Sequence, residues 1–389
     1  MEKTWRWFGR KDKVTLDMLR QIGVEGIVTA LHDEPAGAVW SVEKITETKD
    51  YIESSGLRWS VVESLPVSEQ IKYAGPDRER LLENYRISLA NLGKCGIKTV
   101  CYNFMPVIDW VRTDLERPMP DGTLSLYFDY ARFAYFDMKI LGRPGSEKDF
   151  PADVVAKVEE LDKAITEAEK LQLIDTIITK TQGFINGPLG DGSDGPVEKF
   201  KELMSHYDGV SKEQLRANMK YFLEAIMPVC DEYGINMCVH PDDPPMPVFG
   251  MPRIVCDADD IRWFLQAVDN PHNGFTFCAG SLSAGAHNDV LAMAREFAPR
   301  THFVHVRNCA VLPGGDFVEA PHIGGPVNLV ELLRIFENEG RNLPFRVDHG
   351  KTMLGDEKLG YNPGYTFHGR MLALGQVEGM LAALAVLGN

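Results

Sequence analysis

The chain has 389 residues, with 41 basic and 56 acidic side chains, a formal net charge of −15, 44 % hydrophobic and 25 % charged residues. That composition suits a globular protein with a sizeable core, and the length fits either two average domains or one enlarged α/β barrel. The acidic excess repels phosphate backbones and anionic lipid, which argues against nucleic-acid and membrane partners. It repels small anionic substrates too, unless a local cation cancels it.

The start, MEKTWRWFGRKDK, is charged and aromatic and does not read as a signal peptide. Trp5–Phe8 is the first apolar run, and a helix is expected at 15–22, stopped by Gly23. Gly26–Leu31 reads as the second strand, followed by a helix from the N-cap residue Ser41 to Gly56. A third strand is expected at 58–64, a helix at 76–92 and a fourth strand at Lys98–Tyr102.

The rhythm breaks between 104 and 211, which holds a Pro-, Asp- and Tyr-rich stretch, a charged helical run at 151–173 and the Gly-rich GFINGPLGDGSDGP. About 100 residues cannot be a structureless loop in a compact domain. The expectation is a mostly helical insertion capping the mouth of a barrel.

The pattern resumes with a helix at 212–232, a strand at 235–240, a helix at 257–268, a strand at 274–278 and a helix at 286–297. The last third reads as a strand at 302–306, a helix at 327–338, a strand at 344–348 and a closing helix at 366–386. Eight strand–helix pairs are the signature of a closed (β/α)8 TIM barrel, here a single domain over 1–389 with the insertion after strand four. An open doubly wound sheet would want a Gly-rich phosphate turn, and neither GxGxxG nor GxxxxGK[ST] occurs at a strand end.

The seven cysteines (Cys95, Cys101, Cys230, Cys238, Cys256, Cys278, Cys309) show no CxxC spacing, so a reduced, cytoplasmic setting is expected. The most apolar stretch, 371–388, is interrupted by Gln376 and Glu378 and does not read as a membrane span.

Side chains at the C-terminal ends of barrel strands converge on one mouth. His240, Cys278, His305 and Asp348 end four consecutive strands. Singly, each has an ordinary structural reading; jointly, they form a candidate metal set acceptable to Zn²⁺, Fe²⁺, Mn²⁺ or Co²⁺. Nearby stand His349, Arg307, Lys351, Tyr365, Arg370, Asn103 and His32. His349 suits general acid or base work beside a cation. The pair Asp242 and Asp243, flanked by prolines, reads better as a turn that orients His240 or meets an arginine than as a proton-transfer pair.

Taken together, WRWFG at the start, HPDDPP at 240–245, FCAGS at 277–281, HVRN at 305–308, DHG at 348–350 and PGY at 363–365 resemble the mannonate dehydratase family. That family is of the metal-dependent, xylose-isomerase-like barrel type. The resemblance spans nearly the whole chain and is weakest in the motif-poor insertion. It implies dehydration of D-mannonate to 2-dehydro-3-deoxy-D-gluconate in hexuronate (glucuronate) breakdown, and one Mn²⁺ or Fe²⁺ held by His240, Cys278, His305 and Asp348. It implies proton transfer by His349 and Tyr365, with neither assigned as acid or base. Arg307, Asn103, Lys351 and Arg370 are the candidate substrate contacts. A sugar isomerase or epimerase on the same scaffold and a non-catalytic sugar-acid-binding protein are the alternatives. The aromatic run Tyr127, Phe128, Tyr130, Phe133, Tyr135, Phe136 suggests a homo-oligomer (dimer or tetramer), although core packing explains the same residues.

Overall fold

The computed structural model describes residues 1–181 and 195–387. Apart from Gly195 and Pro196, the Gly-rich run lies outside the described residues. In chain order the strands are β1 (Glu2–Arg6), β2 (Gly26–Thr29), β3 (Arg58–Glu63), β4 (Thr99–Tyr102), β5 (Asp114–Pro118) and β6 (Leu124–Phe128). They continue with β7 (Asn236–Val239), β8 (Asn273–Cys278), β9 (Thr301–His305), β10 (Asn308–Val311), β11 (Phe317–Ala320) and β12 (Pro344–Arg346).

Eight of these close a barrel in the order β1-β12-β9-β8-β7-β4-β3-β2, with every pairing parallel. This is the expected TIM-barrel architecture. Buried parallel strands are apolar on both faces, as in β8, where all six residues are buried. Val28, Val61, Cys101, Cys238 and Phe303 form the cluster that fills the barrel. Register sets the site: Cys278 lies opposite His305, and His305 opposite Arg346, so three neighbouring strands end side by side.

The helices between strands begin where short polar side chains take an orphan N–H. Thr15, Ser41, Ser211, Asp257, Asp289 and Asn328 each accept from the residue three places on. Each such cap is worth about 1 kcal/mol. The cap at Asp289 explains one displaced boundary: the helix expected from 286 starts at Val290. The first strand also differs, running over Glu2–Arg6 and ending before Trp7 and Phe8.

The insertion holds helices at Tyr130–Tyr135, Ala152–Ala164, Glu167–Ile174 and Pro196–Ser205, but it is not wholly helical. The β5–β6 hairpin pairs through β6 with β11, giving an antiparallel sheet β10-β11-β6-β5 built from two distant parts of the chain. The helix expected over 151–173 is divided at Ile165, where Thr166 and Glu169 form a capping box that starts a second helix.

The aromatic run packs inward. Phe128 stacks on Phe317 at 4.7 Å and Phe133 on Phe249 at 4.8 Å, so these rings give no support for an oligomer. The last helix, Phe367–Leu387, is long and apolar enough for a membrane span by length and composition alone. Its Phe367, Ala373, Leu374, Val377 and Met380 are buried in the protein, as befits the closing helix of the barrel.

Candidate active site

Four strand ends supply the metal-type donors. His240 follows β7, Cys278 ends β8, His305 ends β9, and Asp348 stands two residues beyond β12. One donor atom from each of His240, Cys278 and His305 lies within 4.8 Å of the others. His240 Nε2 and His305 Nδ1 are 3.2 Å apart, and Asp348 Oδ2 lies 3.7 Å from both Cys278 Sγ and His305 Nδ1. A cation held at about 2.0–2.3 Å by nitrogen, oxygen and sulfur spaces its ligands at such separations.

Of the two rings, His240 in its neutral form already presents a lone pair to the cluster. His240 Nδ1 lies 2.7 Å from the Pro241 carbonyl, which leaves Nε2 facing the cluster. Arg346 Nε donates to His305 Nε2 at 3.0 Å, which turns Nδ1 inward but places the neutral ring's proton on it, so ligation through Nδ1 would require the ring to give up that bond and move its proton to Nε2. Burial lowers His240, but the neighbouring Cys278 outweighs it and pushes the imidazole up to about 10. Burial and the charge of Arg346 hold His305 well below the usual imidazole range. Two nitrogens, a sulfur and a carboxylate make a donor set that fits a divalent transition metal.

Asp348 reaches this cluster from a left-handed backbone (φ 56°), a region uncommon outside glycine that aspartate enters more readily than most side chains. Arg307 Nε donates to its Oδ2 at 2.5 Å and Arg346 Nη1 donates to its Oδ1. Burial opposes ionisation, yet the two arginines and His349 hold the carboxyl well below its usual range. Strained backbone held in place by ion pairs is a recurrent feature of functional sites.

His349, one residue on, faces a different set of groups. Its Nδ1 lies 2.9 Å from Glu319 Oε1, its Nε2 lies 3.3 Å from Tyr365 Oη, and the Trp110 ring sits 5.1 Å away. Burial disfavours the Glu319 carboxylate, but Arg307, His349 and Arg112 together bring it down to about 2. Burial and the charge of Asp348 push the Tyr365 phenol up, so it keeps its proton.

One cavity at the barrel mouth is lined by His240, Asp348, His349 and Tyr365, with Arg6, Glu63, Asn103, Asp109, Trp110, Arg307 and Arg346 around them. Cys278 and His305, fully buried, adjoin His240. Asn103 lines the cavity and donates to Asp109 Oδ2 at 2.9 Å. Arg307 lines it too, but its donors are spent on Asp348, Asp243 and Glu319. Two expected substrate contacts stand elsewhere. Lys351 pairs with Asp121 on the turn of the β5–β6 hairpin at 2.6 Å. Arg370 is buried under Trp5, donates to the carbonyls of Arg6 and Tyr365, and is pulled down to about 9 by burial. His32 lines a separate cleft with Trp7 and Phe8.

The two aspartates of HPDDPP meet arginines. Asp243 takes Arg112 at 2.6 and 3.1 Å and Arg307 at 2.5 Å, while Asp242 takes Arg253 and the N–H groups of Ile254 and Val255. Sequence reasoning missed Arg6, Glu63, Arg346 and Glu319. The first three carry the same signal as the metal donors, since each lies at the C-terminal end of a barrel strand. Glu319 has no such signal: it comes from β11 and reaches His349 only because that strand joins the hairpin sheet.

The chain matches the family model described as D-mannonate dehydratase (UxuA) over residues 1–387. It is 42 % identical to the mannonate dehydratases of Marinomonas sp. (strain MWYL1), over 98 % of both chains, and of Chromohalobacter salexigens, over 100 % of both. The solved mannonate dehydratase of Streptococcus suis serotype 2 is 34 % identical, with a TM-score of 0.80, over 100 % of this chain and 96 % of that one. Similarity thus extends over nearly the whole length of the chain. The chain belongs to the D-mannonate dehydratase family of hydro-lyases.

Proposed function

We propose that this chain dehydrates D-mannonate to 2-dehydro-3-deoxy-D-gluconate through the Glu319–His349–Tyr365 relay, with the substrate carboxylate at the donor cluster. The relay carries the reading, because it places two proton-handling groups in hydrogen-bond reach beside those donors. His240, Cys278, His305 and Asp348 would hold one Mn²⁺ or Fe²⁺ per subunit, as a mixed donor set favours. A bound divalent cation supplies charge stabilisation to the carboxylate as the C2 proton leaves.

Glu319 accepts from His349 Nδ1–H and so leaves the Nε2 lone pair for the C2 proton. The electron pair of the C2–H bond becomes the C2–C3 double bond, and the C3–O bond breaks. Tyr365 gives its proton to the departing hydroxyl, which leaves as water. The resulting enol tautomerises to the 2-keto acid. Trp110, packed on His349, keeps solvent off the imidazole.

His349→Ala and Tyr365→Phe should each lower turnover by about 10²- to 10⁴-fold, the range for a lost general acid or base. Metal content should stay normal. Keto-acid formation and metal analysis read both; near-full activity in either variant removes that residue from the chemistry.

The same proposal takes the chain as one barrel domain whose insertion, 104–211, caps the mouth; Asp109 and Trp110 on the cavity wall support this. We place it in the cytoplasm, in hexuronate breakdown, in keeping with seven free cysteines. Met371, Leu372, Val386 and Leu387 leave apolar surface exposed on the last helix, which supports a homo-oligomer testable by light scattering.

A further inference from the structure

Arg6 and Glu63 share an anomaly that the chemistry above does not use. Both line the cavity, at the ends of β1 and β3, in the half of the barrel ring that carries no metal-type donor. Arg6 is buried to 5 % exposure, yet its Nη1 has no hydrogen-bond partner. Glu63 Oε1 accepts from Arg346 Nη2 at 2.8 Å, while its Oε2 is equally unpartnered. The two orphaned atoms face each other at 3.6 Å, too far for a hydrogen bond.

The neighbouring Arg346–Glu63 pair closes to 2.8 Å, whereas the Arg6–Glu63 ion pair stands open at 3.6 Å. A buried donor and a buried acceptor held apart at a cavity wall match one ligand group: a hydroxyl, which accepts from the guanidinium and donates to the carboxylate at once. A carboxylate ligand would satisfy Arg6 but face Glu63 with like charge. A carbonyl or ether oxygen would leave Glu63 unsatisfied. The pair therefore selects a neutral group that is both donor and acceptor.

We propose that Arg6 and Glu63 form a hydroxyl-reading subsite that recognises one of the C4–C6 hydroxyls of the sugar acid and so sets which chain the enzyme accepts. The proposal rests on the dehydratase reading for its placement, since carboxylate, C2 and C3 are engaged at the donor cluster and relay. Arg6 and Glu63 act here as specificity-determining residues with no part in proton transfer.

The experiment compares D-mannonate with its 4-, 5- and 6-deoxy analogues in the wild type, Arg6→Met and Glu63→Gln, measuring kcat, KM and dissociation constants on metal-loaded protein. The wild type should lose about 10- to 100-fold in kcat/KM on one analogue, the effect of deleting hydrogen bonds to charged groups. In each variant that loss should shrink by at least about threefold, because one of the hydroxyl's two partners is gone, and the change on D-mannonate itself should fall mainly on KM. Equal rates on all four compounds in the wild type, or an undiminished loss in the variants, overturns the subsite. Should Arg6→Met fail to fold, Glu63→Gln decides, since its amide oxygen keeps the bond from Arg346. Should the wild type bind D-mannonate without forming keto acid, the dehydratase reading falls, and the dissociation constants still decide whether the pair reads a hydroxyl.

Discussion

Cys278 is fully buried, with Ser281 Oγ 3.1 Å from its sulfur, and in packing terms a serine would nearly replace it. What serine cannot replace is the soft thiolate in a set with two imidazoles. Cys278→Ser should therefore leave the melting temperature of the metal-free protein nearly unchanged while weakening metal affinity by more than about 100-fold, beyond the range typical of a lost outer partner. Metal stoichiometry after dialysis against a chelator reads this. Full retention would remove Cys278 from the donor set. His240, Cys278, His305 and Asp348 were legible in the sequence because each ends an apolar run, and strand ends of a parallel barrel share one mouth. Arg6, Glu63 and Arg346 obeyed the same rule, but charged groups at the end of a strand also read as ordinary solvated ends. Only their burial separates them from that reading.

At the scale of elements, the eight barrel strands were readable to within a few residues, since buried parallel strands are short apolar runs bounded by capped helices. The second sheet was not. The β5 and β6 segments are short, and Pro118 and Pro120 speak against a central strand, although Pro120-Asp121-Gly122 between them is a turn signal. Pairing of β6 with β11 joins segments nearly 200 residues apart, beyond the reach of any local pattern. That sheet holds Glu319 against His349 through charge. Arg112, just before β5, donates to Asp243 and to Glu319, all three buried. Arg112→Met removes one cation from two buried carboxylates and leaves Arg307 as their shared partner. It should cost about 3 kcal/mol in denaturant unfolding, the scale for a broken buried pair. Turnover should fall as well, because Glu319 orients His349. Unchanged stability and turnover would mean that Arg307 alone suffices.

Over the whole molecule, the net charge of −15 looked awkward for an anionic substrate, but the cavity wall carries Arg6, Arg307 and Arg346 and adjoins the donor cluster. Glu63, Asp109, Asp243 and Asp348 stand on the same wall and offset those arginines, so a divalent cation at the donors would be what makes the mouth attractive to an anion while the surface stays acidic. The same separation of buried from exposed charge fixes how stability responds to acid. Burial, aided by the charges of Arg341 and Arg300 and by His272, lowers His302 from 6.5 to about 4, and burial lowers His322 as well. Below pH 6.5 the unfolded chain takes up protons that these folded rings refuse, so stability falls from pH 6.5 to about 4. At about 1.4 kcal/mol per tenfold change in proton affinity, His302 alone accounts for roughly 3 kcal/mol. Glu319, lowered from 4.5 to about 2, adds a second loss between those values, and Asp243, held low by Arg112 and Arg307, adds to it. Urea midpoints should thus be highest near pH 7, drop by pH 5, and drop again by pH 3.5, while on the alkaline side the raised His240 works in the opposite sense. His302→Gln, which keeps a donor for the Pro271 carbonyl, should make the first drop shallower, the share of His322 and His32 remaining, and leave the second. A midpoint that holds constant from pH 7.5 to 4.5 would show that these rings are charged in the folded protein.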